Sequence, residues 1–440
     1  MGGVAGGCRI TIAITLNQYG QPMMPAMISW RKSLPLLALA GFLSESASAQ
    51  PSTGTIPDPP TANYWVYVGA ESADLIHRIR FGPDGTVVER TIGVGEFAAE
   101  MEGPHGLVIS RDGQYLHMTT GHGFPDGKYW RYHLGPDTLV GPGTLLGNFP
   151  ASIDISPNGL YAIAANFNLH GDMVPSSLSV VYTPTHTEVT RIITCTMPHG
   201  SRLSPNGRFH YSGCMMDDQL VEVDTRSFTV SRRFSLAKGS EGPLAADDRG
   251  HLAGAAGGHD EHPAEGAKPK VAPEVDPADV GYRGERHQME PNSCSPTWAV
   301  PSSRGDKIYV ACNKADEILE VDHAEWKLTR RFATGRGPYN LNVTPDGKLL
   351  VATLKQGGGV EVFDLTEGRS LARLVSSTTV THGVVVSPDS RYAFVSNESV
   401  GAAPGKVDVY DLQALTRVGS VEVGLQSGGI AFWKMAAITP

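Results

Sequence analysis

Along most of this chain hydrophobic and polar positions alternate with a period of two, and each short run ends at a Gly, Asn or Asp cluster. Such alternation predicts short β-strands with one buried face, joined by tight turns. The runs also repeat in a fixed order. A Pro-x-Gly-like opening leads into an apolar run, then Ser-Pro-Asn/Asp-Gly, a second apolar run and a strand ending in Val-Asp. The unit is readable at Gly103-Pro104-His105-Gly106, Pro150-Ala151-Ser152, Pro198-His199-Gly200, Gly337-Pro338-Tyr339-Asn340 and Thr381-His382-Gly383, each followed by its turn. Recurrence at roughly 40 to 50 residues is the spacing of propeller blades.

With the Pro-x-Gly opening as the start of each inner strand, blades fall at about 103–149, 150–195, 198–236, 294–335, 337–375 and 380–423. One blade is left split. Tyr64 to Val94 supplies three strands with no inner strand, whereas Gly428 to Trp433 is an inner strand with nothing after it. Pairing the two ends removes both open sheet edges. The expected fold is therefore all-β, a single seven-bladed β-propeller over 62–435, closed by its C-terminal strand, with a long insertion at 237–292.

The N-terminal region reads differently. From Met27, a basic Arg31-Lys32, a short apolar stretch Leu34 to Leu43 and Ala47-Ser48-Ala49 form a secretory signal, so residues 1–49 are expected to be removed after Ala49. Met1 to Ala26 reads as lying upstream of the true start. The apolar stretch is too short to span a bilayer. Residues 50–61 form a Pro/Thr/Ser linker, and the expected location is the periplasm or the exterior. A net charge of -9 with 18% charged residues offers no long-range attraction to phosphate backbones, which argues against nucleic acid as a partner.

These repeats resemble the YVTN-type propeller family, in Tyr161 to Asn166, Tyr309 to Asn313, Tyr392 to Asn397 and the strands Val221 to Asp224 and Leu319 to Asp322. The resemblance implies a propeller fold. It spans several activities, since that family and its relatives include lactonases, haem- and copper-carrying domains and plain binding scaffolds.

Candidate chemistry gathers where the repeat places it. The x of each Pro-x-Gly and the end of each second strand should converge on one mouth of the central channel, where propellers bind ligands. Three x positions are histidines, His105, His199 and His382, and His122 ends a second strand beside them. Imidazoles from three blades around one axis suit a soft or borderline metal, copper first, for redox or metal-assisted chemistry on a small molecule. His77 and His186, on outer strands or rim turns, should take no part. Cys195, Cys214, Cys294 and Cys312 fall 19 and 18 residues apart in two blades. They read as two disulfides, Cys195 with Cys214 and Cys294 with Cys312, or as thiolate ligands, with Cys214 beside Met215-Met216 a candidate for copper.

The insertion carries His259 and His262, expected on a lid over the mouth as acid, base or further ligands. Two other functions stand beside the metal centre. One is a non-catalytic scaffold binding a peptide, glycan or protein at the same mouth. The other is a lactonase-like hydrolase, with Arg202 and Glu398 as candidates by position. No phosphate loop, no Gly-x-Ser-x-Gly elbow and no Cys-x-x-Cys-His appears, which argues against nucleotide, serine-hydrolase and c-type haem chemistry.

Overall fold

The computed structural model describes residues 58–96, 100–122, 127–169, 171–245 and 292–438. All belong to one compact unit, 54–440. The signal region, with its cleavage site, and His259 and His262 lie outside the described residues, so nothing structural is assigned to them.

Among the described residues the chain is strand throughout, apart from a three-residue 3-10 turn at Glu71–Ala73. The strands form antiparallel sheets in a propeller-like arrangement. In one typical sheet Pro338–Val343, Leu349–Leu354, Gly359–Asp364 and Arg369–Val375 pair in chain order, and Thr381–Val386 opens the next in the same way. Hydrophobic side chains fill the layers between adjacent sheets. Val351, Val360 and Val362 of one pack on Val384, Ala393 and Tyr410 of its neighbour, all buried. Each sheet thus buries both faces, which removes the only large apolar surface it has.

Every inner strand lies beside the next in chain order, and the last, Ser427–Ala437, lies beside the first, Pro104–Ile109. The expected terminal pairing is present. Ser427–Ala437 runs antiparallel to Ala62–Ala70, with Val66 opposite Phe432 and Val68 opposite Ile430. In place of seven separate blades, five sheets of four or five strands stand beside one of nine. Pro198–Leu203 and Pro296–Pro301 meet in a parallel pairing of Gly200 with Trp298, which joins two four-stranded runs and a short edge strand into one sheet of nine. Gly200 permits this approach, since a Cβ there would stand 2.3 Å from the Trp298 ring and 2.4 Å from the Thr297 carbonyl. The edge strand, Gly242–Leu244, is the start of the long insertion, paired to Thr229–Ser235.

The repeated Ser-Pro-Asn/Asp-Gly turns share one hydrogen-bond pattern. Ser110 donates to Asp112, Ser156 to Asn158, Ser204 to Asn206 and Ser387 to Asp389, while the residue two beyond each Asx donates its N–H back to it. Side-chain turns of this kind fix the hairpin and hence the register of both strands.

Both expected disulfides are formed. Cys195 bonds Cys214 and Cys294 bonds Cys312, with Cα separations of 5.9 and 4.4 Å. This corrects the assignment of Cys214 as a metal ligand, because its sulfur is consumed in the bridge and no thiolate is left to coordinate.

Candidate functional site

Two columns of the repeat build one pocket. The first is the x position of the inner strands. His105, His199 and His382 are buried there, each followed by a glycine that lets the neighbouring inner strand approach. Hydroxyls on the strands then tie blade to blade: Thr119 donates to the Pro150 carbonyl at 2.7 Å, Ser152 to His199 O at 2.5 Å and Thr353 to His382 O at 2.8 Å. The histidine backbones are therefore held by bonds within the ring and do not depend on a ligand.

The second column is the residue just past each second strand: Glu71 after Ala70, Phe167 after Asn166, Met215 after Cys214, Asn313 after Cys312, Lys355 after Leu354 and Glu398 after Asn397. His122 stands two past Thr120. All seven face one cavity of about 430 Å³, together with the three x-column histidines, Phe149 and Tyr339. The site residues expected from sequence at His105, His122, His199, His382 and Glu398 are thus brought together. Arg202 is not at this mouth. It lies further along the inner strands, over the Trp298 ring at 5.0 Å and beside the buried Asp154, lining a cavity of about 20 Å³. His77 and His186 lie outside the mouth pocket. His77 is on the strand Leu75–Gly82, buried between Thr91 and the Gly424 N–H, and His186 occupies a turn.

Hydrogen bonds fix the orientation of two imidazoles. His105 Nδ1 meets the Ala151 carbonyl at 2.6 Å and His199 Nδ1 meets the Thr297 carbonyl at 2.9 Å, so both Nδ1 atoms are N–H donors. Each Nε2 is then left to another partner. That of His199 receives the Tyr339 hydroxyl at 3.0 Å, and that of His105 stands 3.8 Å from Glu71 Oε2. His382 Nε2 lies 3.5 Å from Glu398 Oε1, and its Nδ1 has no hydrogen-bond partner of good geometry, with only a weaker interaction from the Gly428 carbonyl.

Burial sets the charge states. Desolvation pushes His199 down to about 3, and desolvation with the Lys355 ammonium pushes His382 well below its ordinary value, so both are neutral bases at neutral pH. Burial would raise the Glu71 carboxyl, but His105, His122 and Lys355 outweigh it and hold it below its usual value. Burial would lower Lys355, yet Tyr339 and Glu398, the latter 2.8 Å away, keep its ammonium above the ordinary value. The Glu71 carboxylate, the Lys355 ammonium and the uncharged imidazoles of His199 and His382 thus share one cavity.

Among the described residues no three His, Cys, Asp or Glu side chains form a ready metal-binding group. The His105 ring centre is 5.5 Å from that of His382 and 6.3 Å from that of His199, while Tyr339 packs against both His199, at 5.3 Å, and His382, at 4.8 Å.

The residues that sequence reasoning missed are Glu71, Lys355 and Tyr339. Glu71 follows a strand that begins a blade without its own inner strand, so its column was hidden by the split. Lys355 shares the column of Glu398, one blade earlier, and the same alignment reaches it.

No protein-family model and no curated protein sequence matches this chain. Solved structures do resemble it. A periplasmic gluconolactonase of Pseudomonas aeruginosa aligns with TM-score 0.59 at 16% identity, over 84% of this chain and 99% of that one. A functionally unknown protein of Desulfotomaculum acetoxidans gives TM-score 0.57 at 14% identity, over 84% and 98%. The hydrazine synthase of Kuenenia stuttgartiensis gives 0.51 at 14%, over 79% and 96%. At these identities the likeness is one of fold alone.

Proposed function

We propose that this chain is an exported seven-bladed propeller whose channel mouth binds a small molecule and hydrolyses an ester-like bond in it, such as that of a lactone. Counting the two four-stranded runs of the nine-stranded sheet as separate blades gives seven, in line with the cyclic order of the inner strands. The two disulfides fit an oxidising compartment.

The observation that carries the reaction is the pairing of His105 Nε2 with Glu71 Oε2, two buried acceptors 3.8 Å apart on the cavity wall. One water donating a hydrogen to each satisfies both and is held for attack. As His105 takes its proton, the water oxygen bonds to the carbonyl carbon. The carbonyl oxygen gains the negative charge, which the Lys355 ammonium stabilises in a partly dry site. The carbon–oxygen bond to the leaving group then breaks, and the leaving oxygen takes the proton from His105. A gluconolactonase on the same fold makes a lactone a reasonable first substrate class. The test is hydrolysis of a panel of lactones and aryl esters, followed by release of acid. His105→Ala and Glu71→Gln should each lose at least a hundredfold in kcat. Absence of turnover across the panel overturns the proposal.

A metal centre is the second reading, favoured by the backbone carbonyls that orient His105 and His199. This is how ligating imidazoles are commonly held. His105, His199 and His382 would hold the ion, copper in the first place, with His122 beside them, and it would supply Lewis-acid or redox chemistry. Tyr339 opposes this arrangement, since its hydroxyl already occupies His199 Nε2.

A further inference from the structure

The mouth is lopsided. On one side stand Glu71, Lys355 and Glu398, and on the other Phe149, Phe167, Leu169 and Met215. The apolar side belongs to a packed cluster in which Phe149 and Phe167 touch at 6.0 Å and Met197, Met215 and Met216 close in behind them. Leu169 extends the same wall outward, 40% exposed at the lip.

We infer that the mouth selects molecules with an apolar body, an alkyl- or aryl-bearing lactone or ester rather than a polyol. This rests on the hydrolytic function proposed above and names its substrate class. The carbonyl end of the ligand lies toward Lys355, and its alkyl or aryl part lies on Phe149, Phe167 and Leu169. A polyhydroxylated molecule in that orientation sets its hydroxyls against rings and thioethers that offer them no partner.

The experiment uses two six-membered lactones that differ in their substituents, δ-decalactone with its pentyl tail and glucono-δ-lactone with its hydroxyls. Binding is measured by calorimetry and hydrolysis by acid release on the same samples. The expected result is at least tenfold tighter binding of δ-decalactone. Phe167→Ala should lose that preference, and so, in part, should Leu169→Gln, a lip substitution that leaves the core intact. Equal or tighter binding of the polyol, or variants without effect on the preference, overturns the inference. Tight binding of δ-decalactone without turnover upholds the inference and sinks the hydrolytic function, whereas turnover of both lactones without preference does the reverse.

Discussion

Tyr339 donates its phenolic hydrogen to Nε2 of His199 across 3.0 Å, and His199 in turn donates from Nδ1 to the Thr297 carbonyl. The imidazole is satisfied at both ends and is therefore a positioned, neutral wall of the mouth. The bond from Tyr339 stabilises the uncharged ring, so removing it should let His199 take a proton more readily. Tyr339→Phe is expected to cost about 1–3 kcal/mol, the price of an orphaned buried acceptor, and to raise the His199 pKa in an NMR titration. Metal uptake separates the two functional readings. Weak copper or zinc uptake by the wild type, with or without a gain in Tyr339→Phe, fits the metal-free mouth. Tight uptake by the wild type favours the metal centre.

Acid should destabilise the protein earlier than carboxylate titration alone requires. His117, His199 and His210 are each pushed down to about 3 by burial, with nearby cations adding to the effect in all three. In the unfolded chain each titrates near 6.5, so between about pH 6.5 and 3 the unfolded state binds protons that the folded state refuses. Their contribution is whole well above about pH 6.5 and is lost as pH falls, approaching roughly 1.4 kcal/mol per unit for each histidine. Denaturant melts at pH 7.5, 6.5 and 5.5 should show stability falling by about 1 kcal/mol over the first interval and by about 3 kcal/mol over the second. A constant midpoint would mean that these rings protonate in place.

Thr353 holds two inner strands together, accepting from Asn340 N at 2.9 Å and donating to His382 O at 2.8 Å. Valine keeps its shape and removes both bonds, leaving a buried N–H and a buried carbonyl alone. Thr353→Val should cost about 1–3 kcal/mol and weaken ligand binding at the mouth by releasing the His382 backbone, while leaving the Cys294–Cys312 bridge intact. Serine should restore most of both losses.

Much of this geometry was legible in the chain because propeller repeats are local. Strand, turn and strand are written within one unit, and the x column therefore put His105, His199 and His382 at one mouth without any long-range information. The cysteine pairing was legible for the same reason, since each bridge joins the entry of one strand to the end of its partner in the same or the neighbouring unit. Other features depended on distances between units. The joining of two blades through Gly200 and Trp298 arises from a backbone approach that a repeat alignment does not encode. The charge partners of the histidines were hidden similarly. Glu71 lies on the blade split between the two ends of the chain, and Tyr339 looked like one more x residue until its hydroxyl was seen on His199.

The bridges should matter more for the mouth than for the fold as a whole. Each closes a loop of 19 or 18 residues, for which the chain-entropy model gives about 3 kcal/mol. Cys195→Ser with Cys214→Ser is expected to lower stability by that amount in urea melts, and reducing agent should shift the wild type by about twice as much and the double variant, which keeps Cys294–Cys312, by about as much again. Met215 follows Cys214 directly into the apolar wall, so the variant should also weaken ligand binding at temperatures where it remains folded.

Closure of the ring depends on the last strand. Ser427–Ala437 pairs along the whole of Ala62–Ala70, and its Ile430 and Ala431 are buried in the layers on either side. Without it two sheet edges lie open, and the Val66 and Val68 face loses its cover. A propeller gains cooperativity from that last contact, because every blade packs on two neighbours only when the circle is complete. Deleting residues 424–440 should therefore abolish the single cooperative melting transition and yield a broad, concentration-dependent one as exposed edges pair between molecules. Scanning calorimetry at two protein concentrations reads both effects. A truncated protein that melts sharply at the wild-type temperature would mean that the first blade is stable on three strands, and that the terminal pairing contributes nothing to holding the ring.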